Sequence, residues 1–248
     1  MVVNLDSVRL AAARFHGAKP FPHAVIDDFF DARVAAALAV EFGGGVDEWH
    51  SYDSPLEVKR TCNDWNRFGQ ITYQTVHWLN AVFVEELKRM LFIHDLACDP
   101  GLNGGGWHAH GRGGKLNVHQ DYDCHPKLHR MQRRLNLIVY LNPRWQPEWG
   151  GELGLYASPS ELVHAVTPRF NRAVLFDTRG SWHGLPAPVM CPEGEERQSL
   201  AVYYLTPTAP ESGRTKALFA PTAEQAGDPA VLELIERRAR GEAVYRTG

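Results

Sequence analysis

The chain has 248 residues, with 26 lysines and arginines against 29 aspartates and glutamates, and 44% of its residues are hydrophobic. This is the composition of an ordinary folded protein, and a formal net charge of -3 lacks the positive excess that nucleic-acid binding requires. The sequence shows no apolar run of roughly 18 residues, no signal-peptide core at its start and no CxxC spacing. We therefore expect a cytoplasmic protein without nucleic-acid or membrane partners, and its oligomeric state stays open.

The N-terminal third is predicted to be mixed and mainly helical. A short apolar strand is expected at residues 23–26, followed by Asp31, whose side chain suits the N-cap of a helix over residues 32–42. The glycines at 43–45 would end that helix, because glycine readily adopts the left-handed conformation found at helix C-termini.

The next two segments differ in periodicity. Residues 46–69 are polar and aromatic with no clear period, which predicts a loop. Apolar residues then recur at helical spacing over residues 70–92. They predict an amphipathic helix packed on a core, although Thr75 interrupts the apolar stripe.

Beyond about residue 104, short apolar runs separated by Gly, Pro and Asn indicate β-strands. The runs cover residues 115–119, 135–141, 152–156, 172–176 and 200–205. Several short strands at such spacing predict an antiparallel sandwich or jelly roll. After Pro207 the chain is loop-like until Asp228, which can cap a helix over residues 229–240.

From these elements we predict a single domain over residues 1–248, mainly β with flanking helices (α+β). An N-terminal helical buttress (1–100) would support a β core at about 104–207, and a loop and helix (208–248) would follow.

The sequence His119-Gln120-Asp121 is the first candidate for a chemical site. Residues i and i+2 of a strand share a face, so His119 and Asp121 could fill two adjacent corners of an octahedral metal site. A third ligand must come from elsewhere, and His183 is the candidate because it follows another apolar strand. Two histidines and one carboxylate on one octahedral face suit a non-haem Fe(II) oxygenase.

Arg197 and Ser199 open a later strand and are also two residues apart. An inward-facing arginine beside a hydroxyl suits a cosubstrate with a carboxylate, because the guanidinium stays charged and can pair bidentately. The alternative is an arginine that closes a structural salt bridge at the start of the strand.

The order of these motifs resembles that of the 2-oxoglutarate- and Fe(II)-dependent dioxygenases, and is most similar to the prolyl 4-hydroxylase-like branch. The residues that carry the resemblance are His119-Gln120-Asp121, Tyr140-Leu141-Asn142, Trp149-Gly150-Gly151-Glu152-Leu153, His183-Gly184 and Arg197-Gln198-Ser199. The opening segment, residues 20–30, is also similar to the N-terminal strand and helix of that branch.

The resemblance implies a double-stranded β-helix (jelly roll) with an iron site at its open mouth. His119, Asp121 and His183 match the Fe(II) ligands of the family. The implied cosubstrates are 2-oxoglutarate and O2, with ascorbate as a supporting reductant. Halogenating relatives have a small residue in place of the carboxylate ligand, so Asp121 favours hydroxylation and leaves desaturation or ring closure open.

The resemblance also assigns the residues that hold 2-oxoglutarate. Arg197 matches the basic residue that pairs with the distal carboxylate, and Ser199 matches its hydroxyl partner. Tyr140 aligns with a tyrosine that contacts the same carboxylate in some relatives, and its alternative is a core aromatic side chain. With the three iron ligands, Arg197 completes the predicted catalytic set.

Further histidines and an arginine are candidates for other roles. His108 and His110 form a second i, i+2 pair, which we place in a loop or at the mouth because no carboxylate or cysteine lies at a useful spacing. His125 and His129, after the HxD motif, are candidates for substrate contact. Strand alternation sends one of two adjacent arginines inward, and Arg133 is the candidate for substrate binding.

We therefore predict an Fe(II)- and 2-oxoglutarate-dependent dioxygenase that hydroxylates an unactivated C–H bond of a small molecule, such as an amino acid, a sugar or a pathway intermediate. Succinate and CO2 would be the coproducts. The alternatives are a prolyl hydroxylase that acts on a protein or peptide, a cupin-like metal enzyme that does not use 2-oxoglutarate, and a non-catalytic jelly-roll binding protein with a vestigial metal site.

Overall fold

The computed structural model describes residues 2–44, 46–207 and 213–242, so parts of the predicted C-terminal segment, 208–212 and 243–248, lie outside the described residues, as do residues 1 and 45. The described chain forms fourteen strands and five α-helices. The strands are β1 (His23–Ile26), β2 (His50–Asp53), β3 (Glu57–Cys62), β4 (Ala97–Cys98), β5 (Gly106–His110), β6 (Lys115–Leu116), β7 (His119–Gln120), β8 (Met131–Tyr140), β9 (Leu153–Ser158), β10 (Glu161–Val166), β11 (Ala173–Asp177), β12 (Trp182–Gly184), β13 (Arg197–Pro207) and β14 (Leu218–Phe219). The helices are α1 (Leu5–Ala12), α2 (Ala32–Glu41), α3 (Gln70–Trp78), α4 (Val84–Leu91) and α5 (Pro229–Ala239).

The strands form two antiparallel sheets. The larger sheet has the order β1-β11-β8-β13-β5-β3-β2, with β4 paired to β13 and β6 paired to β3. The smaller sheet has the order β10-β9-β12-β7-β14. Residues of both sheets line a shared cavity, so the inner faces of the sheets look towards each other.

The main hydrophobic core lies between the helices and the outer face of the larger sheet. On β8, the alternating residues Leu135, Leu137 and Val139 join this core, because every second side chain of a strand shares a face. The helices contribute Leu38 of α2 and Leu87 of α4. The helices thus cover the sheet from behind and leave its inner face to the cavity. None of the helices in the described part of the chain is long and apolar enough to cross a bilayer.

Several predicted elements are confirmed. The first strand covers residues 23–26 as expected, and α2 begins after Asp31, whose carboxylate accepts a hydrogen bond from the Arg33 amide. The last helix begins after Asp228, which caps the amides of residues 230 and 231. Both caps satisfy amides that would otherwise lack an intrahelical partner.

The predicted helix over 70–92 is real but not regular. Residues 79–83 form a π-helical turn between α3 and α4. A π turn holds one extra residue and therefore rotates the buried face of the segments that it joins. Thr75, predicted to interrupt the apolar stripe, is buried, whereas Ile71 and Val82 of the predicted stripe are exposed.

The loop predicted over 46–69 was wrong, because this segment contains β2 and β3. The side chains of β2 are mostly exposed, so this outermost strand of the sheet shows no hydrophobic period. The strand predicted over 115–119 is interrupted, since β6 belongs to the larger sheet and β7 to the smaller one. The predictions did not include α1, β5 or β10.

Asn171 ties the N-terminal segment to the larger sheet. Its side chain accepts a hydrogen bond from the Phe30 amide and donates one to the Phe30 carbonyl, both at 2.9 Å, in a buried position. Its φ of 59° lies in the left-handed region, which asparagine tolerates better than alanine.

We expect Asn171→Ala to lower the free energy of unfolding by about 2–4 kcal/mol, because two buried backbone groups lose their partners and the backbone is strained. Urea denaturation measures this change. The exposed Asn66→Ala serves as the control, with an expected effect below about 1 kcal/mol. Equal effects of the two substitutions would contradict the assigned role of Asn171.

Candidate active site

The pairing of β7 with β12 brings two predicted ligands together. His183 lies directly opposite His119 in the smaller sheet, and their ring centroids are 4.3 Å apart. Asp121 follows two residues after His119, and each of the three buried side chains has a ligand atom within 4.8 Å of those of the other two. The structure therefore collects the three predicted iron ligands at one point.

Backbone carbonyls orient the two imidazoles. Nδ1 of His119 lies 3.0 Å from the Asn117 carbonyl, and Nδ1 of His183 lies 3.2 Å from the Ser181 carbonyl. A carbonyl only accepts, so each Nδ1 carries the hydrogen and each Nε2 keeps its lone pair. Nε2 of His183 lies 3.9 Å from Oδ2 of Asp121.

The Asp121 carboxylate has one oxygen occupied and one without a partner. Oδ1 accepts a hydrogen bond of 2.5 Å from Arg133, whereas the buried Oδ2 has no hydrogen-bond partner among the described residues. A buried carboxylate oxygen without a partner is costly unless an ion or another ligand contacts it. Two imidazole nitrogens and this oxygen are a donor set that suits non-haem Fe(II).

A second group of predicted residues lies on the inner face of the larger sheet. Nε of Arg197 donates to the Gly151 carbonyl at 2.6 Å, and Nη2 donates to the Tyr140 hydroxyl at 3.2 Å. Arg197 and Ser199 are buried and line the same cavity as the histidines. Tyr140 of β8 is paired with Ser199 of β13. Tyr140 is not among the described residues that line the cavity, so its hydroxyl supports the guanidinium without lining the cavity itself.

Gly151 makes this close approach to Arg197 feasible. Its φ is +78°, and a Cβ atom at this position would lie 2.9 Å from Cδ of Arg197. Any residue with a side chain would therefore displace the arginine or strain the backbone.

Residues 105–205 match the family model described as the 2OG-Fe(II) oxygenase superfamily. This match covers 101 of the 248 residues and includes the segment that holds His119, Asp121 and His183. The family uses Fe(II), 2-oxoglutarate and O2, so the protein is a 2-oxoglutarate-dependent oxygenase, as the sequence predicts. A search of curated proteins finds no match to the chain.

Solved structures of oxygenases share the fold. A prolyl-4-hydroxylase from Pseudomonas putida is 18% identical, with a TM-score of 0.59, over 82% of this chain and 99% of that chain. A prolyl 4-hydroxylase from Phytophthora capsici is 21% identical, with a TM-score of 0.58, over 94% of this chain and 74% of that chain. The α-ketoglutarate-dependent carbocyclase SnoK from nogalamycin biosynthesis is 12% identical, with a TM-score of 0.53, over 87% of each chain. The likeness confirms the predicted double-stranded β-helix.

The electrostatics of this oxygenase favour metal binding. Burial lowers the pKa of His119 to about 3 and also lowers the pKa of His183. Burial acts to raise the pKa of Asp121, but the Arg133 guanidinium and the two imidazoles outweigh it and hold that pKa below its ordinary value. At neutral pH the site therefore offers two neutral imidazoles and one ionised carboxylate, the forms that bind a metal ion.

Arg133 lies beside the carboxylate of Asp121. Its guanidinium packs between the rings of Tyr122 and Tyr203, at 3.7 and 3.5 Å from their centroids, and donates to the Asn103 carbonyl at 2.6 Å. The Tyr203 hydroxyl lies 3.5 Å from Oδ1 of Asp121. These contacts fix the orientation of the carboxylate, so Arg133 lines the cavity as a positioning residue.

A register shift between β8 and β13 turns Arg133 inward. Leu135 pairs with Tyr204, but Leu205 pairs with Arg133, so Arg134 is an extra residue. Arg134 points away and pairs with Asp177. Strict alternation counted back from Tyr140 would have turned Arg134 inward, so the bulge decides which arginine reaches the site.

The two histidines proposed for substrate contact do not line the cavity formed by the described residues. His125 is buried, its Nδ1 accepts from the amides of Lys127 and Leu128, and its Nε2 lies 3.2 Å from Asp99. These contacts make it an anchor for its own loop. His129 is exposed. Their assignment as substrate residues is corrected accordingly.

The structure also places residues that the sequence reasoning located only in part or missed. His108 and His110, expected in a loop or at the mouth, belong to β5 and line the cavity. Tyr203 could have been found by alternation from Arg197 and Ser199. Phe219 stacks on His119 with centroids 5.0 Å apart, and no sequence signal marked it.

A pH dependence follows from His108. Burial lowers its pKa from the ordinary 6.5 to about 3. Below pH 6.5 the unfolded chain binds a proton at this histidine and the folded chain does not, so the free energy of unfolding falls as the pH decreases towards 3. We expect His108→Gln to reduce this slope by up to about 1.4 kcal/mol per pH unit. Urea denaturation between about pH 5 and 7 measures it, and an unchanged slope would contradict a neutral His108 in the folded protein.

Proposed function

We propose that this oxygenase hydroxylates an unactivated C–H bond of a small molecule and converts 2-oxoglutarate and O2 into succinate and CO2. His119, Asp121 and His183 hold Fe(II) in this proposal. The unpartnered Oδ2 of Asp121, next to Nε2 of His183, is the observation that supports it most directly. The iron supplies the activation of O2 and the oxidation of the C–H bond.

The chain's own residues bind and orient the two organic molecules. His119, Asp121 and His183 would supply three ligands to the metal, which would leave coordination positions for a cosubstrate. Arg197 has its Nε and Nη2 engaged by protein, which leaves Nη1 for the distal carboxylate of 2-oxoglutarate. Ser199 adds a hydroxyl on the same inner face. Burial raises the pKa of Tyr140, so its hydroxyl keeps its proton and supports the guanidinium without adding charge.

The size of the cavity supports a small-molecule substrate. Its volume is about 290 Å³, near the low end of the range for small-molecule pockets. Tyr52 of β2, Tyr122, Phe219 of β14 and Arg238 of α5 contribute to its walls. These walls surround the metal ligands from several elements, as expected where water must be kept from the reacting centre.

Two measurements test the proposal. Anaerobic addition of Fe(II) and 2-oxoglutarate should produce the weak visible charge-transfer band of a chelated 2-oxo acid, and exposure to O2 should produce succinate. Folded protein without the band would indicate a binding protein with a vestigial site. An iron-dependent reaction without succinate would indicate a metal enzyme that does not use 2-oxoglutarate.

The peptide alternative is tested in the same assay. Succinate formation is compared in the presence of free amino acids and sugars and in the presence of proline-containing peptides. The small-molecule proposal expects the first group to stimulate turnover. Stimulation by the peptides alone would establish the prolyl hydroxylase alternative.

A further inference from the structure

The cavity has an excess of positive charge. Among the described residues that line it, five carry cationic side chains and two carry carboxylates. The cationic residues are Lys59, Arg133, Arg197, Lys216 and Arg238, and the carboxylates are Glu57 and Asp121. Fe(II) and 2-oxoglutarate carry opposite charges of equal size, so loading the site leaves the excess in place. A cavity lined by positive charge attracts a negatively charged ligand.

The larger sheet places one of these cations in line with the cosubstrate arginine. Arg197 of β13 lies opposite His110 of β5, and Arg60 of β3 lies opposite Ala109. The paired residues end at Arg60, and the next residue of β3, Lys59, is close enough to His110 for its charge to lower the pKa of that ring. On the other side of Lys59, Tyr52 of β2 lies opposite it in the same sheet.

Lys59 lies within the cavity and away from bulk solvent. Its side chain is 13% exposed, and Nζ lies 2.9 Å from a carboxylate oxygen of Glu57. Arg238 also pairs with Glu57, at 2.7 Å. Two cations thus pair with the same buried carboxylate.

His110 is a buried polar group that faces the cavity without a partner. It is 2% exposed, and neither ring nitrogen has a hydrogen-bond partner among the described residues. A buried, unsatisfied ring of this kind is costly until a ligand or water contacts it. Burial lowers its pKa well below the ordinary value, so the ring is neutral and offers one N–H donor.

The contacts of Arg197 separate this position from the 2-oxoglutarate position. Arg197 donates to the Tyr140 hydroxyl, and Tyr140 belongs to β8, on the opposite side of β13 from β5. One amino group of the guanidinium is therefore held on the β8 side of β13. Lys59 of β3 and His110 of β5 therefore remain for a second ligand.

We infer that the substrate of this oxygenase carries an acidic group, a carboxylate or a phosphate, which binds between Lys59 and the N–H of His110. Lys59 supplies the charge and His110 a directional hydrogen bond. The inference rests on the proposed function, because it names the class of molecule that occupies the space next to iron and 2-oxoglutarate.

Small anions test this inference on the protein loaded with Fe(II) and one equivalent of 2-oxoglutarate under argon. Inorganic phosphate, acetate and neutral acetamide are titrated by calorimetry. We expect one of the anions to bind and acetamide not to bind, and the preferred anion distinguishes a phosphate from a carboxylate. Lys59→Met and His110→Leu should each weaken anion binding at least tenfold, whereas Lys59→Arg should retain it.

The matched control is Lys88→Met, because Lys88 pairs with Glu85 on α4 and does not line the cavity. The affinity of the Lys88→Met variant for the anions should equal that of the wild-type protein. The inference is overturned if neither anion binds the wild-type protein, or if Lys59→Met binds the anions as the wild-type does. It is also overturned if Lys59→Met and His110→Leu weaken 2-oxoglutarate and leave the anions unaffected.

The failure of the proposed function would look different. The visible band formed by Fe(II) and 2-oxoglutarate in the wild-type protein reports on that function alone. An absent band would overturn the proposed function whether or not phosphate or acetate binds.

Discussion

Asp121→Asn is expected to lower succinate formation at least about 100-fold, because changes to groups that merely support a metal ligand already cost about 10–100-fold. The amide keeps the size of the side chain but loses its charge, and it leaves the buried Arg133 without its ionic partner. The affinity for Fe(II) should fall in parallel. Steady-state succinate formation and equilibrium iron binding measure the two effects.

Asp123→Asn is the matched control for this prediction. Asp123 is two residues away and pairs with Arg214 at 2.9 Å, in a partly exposed position outside the lining of the cavity. The same change of group should leave iron binding and turnover near wild-type values. His183→Gln is a second test in case loss of the Asp121 charge unfolds the protein. Full activity of a folded Asp121→Asn would show that the carboxylate is not a ligand.

Arg197→Ala is expected to weaken 2-oxoglutarate binding and to leave iron binding nearly unchanged. Removing one partner of a buried charged pair costs about 2–4 kcal/mol, or a factor of about 30 to 700 in affinity. The loss should appear as a higher KM for 2-oxoglutarate and a weaker visible band at a given concentration. Arg197→Lys should have an intermediate affinity for 2-oxoglutarate, because lysine keeps the positive charge and lacks the planar guanidinium group.

The control for Arg197 is Arg179→Ala. Arg179 is half-exposed and pairs with Asp177 outside the lining of the cavity. Its removal should change neither the KM for 2-oxoglutarate nor the band. An unchanged 2-oxoglutarate affinity in folded Arg197→Ala would assign the distal carboxylate to another residue.

The sequence predicts the ligand motif better than the cavity around it. The i, i+2 spacing places His119 and Asp121 together whichever strands are neighbours, since it depends only on the pleat of one strand. The convergence of His183 depends on the pairing of β7 with β12, which no local pattern encodes. The resemblance to a family supplied that link.

The missed features have local physical causes. The strand that carries Lys59 was predicted as loop, because the outer strands of this sheet are polar and lack a hydrophobic period. The inward turn of Arg133 depends on a bulge, which adds one residue and reverses the alternation. The contact of Phe219 with His119 joins residues 100 positions apart, beyond the reach of any periodicity.

Part of the wall of the cavity comes from outside the segment that matches the family. Residues 105–205 contain the three proposed metal ligands and Arg197, whereas Lys59, Phe219 and Arg238 lie before or after this segment. Part of the selectivity is therefore encoded outside the stretch that carries the oxidising chemistry. Exchanging the hairpin at 50–62 or the tail from 213 for those of another oxygenase offers a route to new specificities, with the oxidising machinery left untouched.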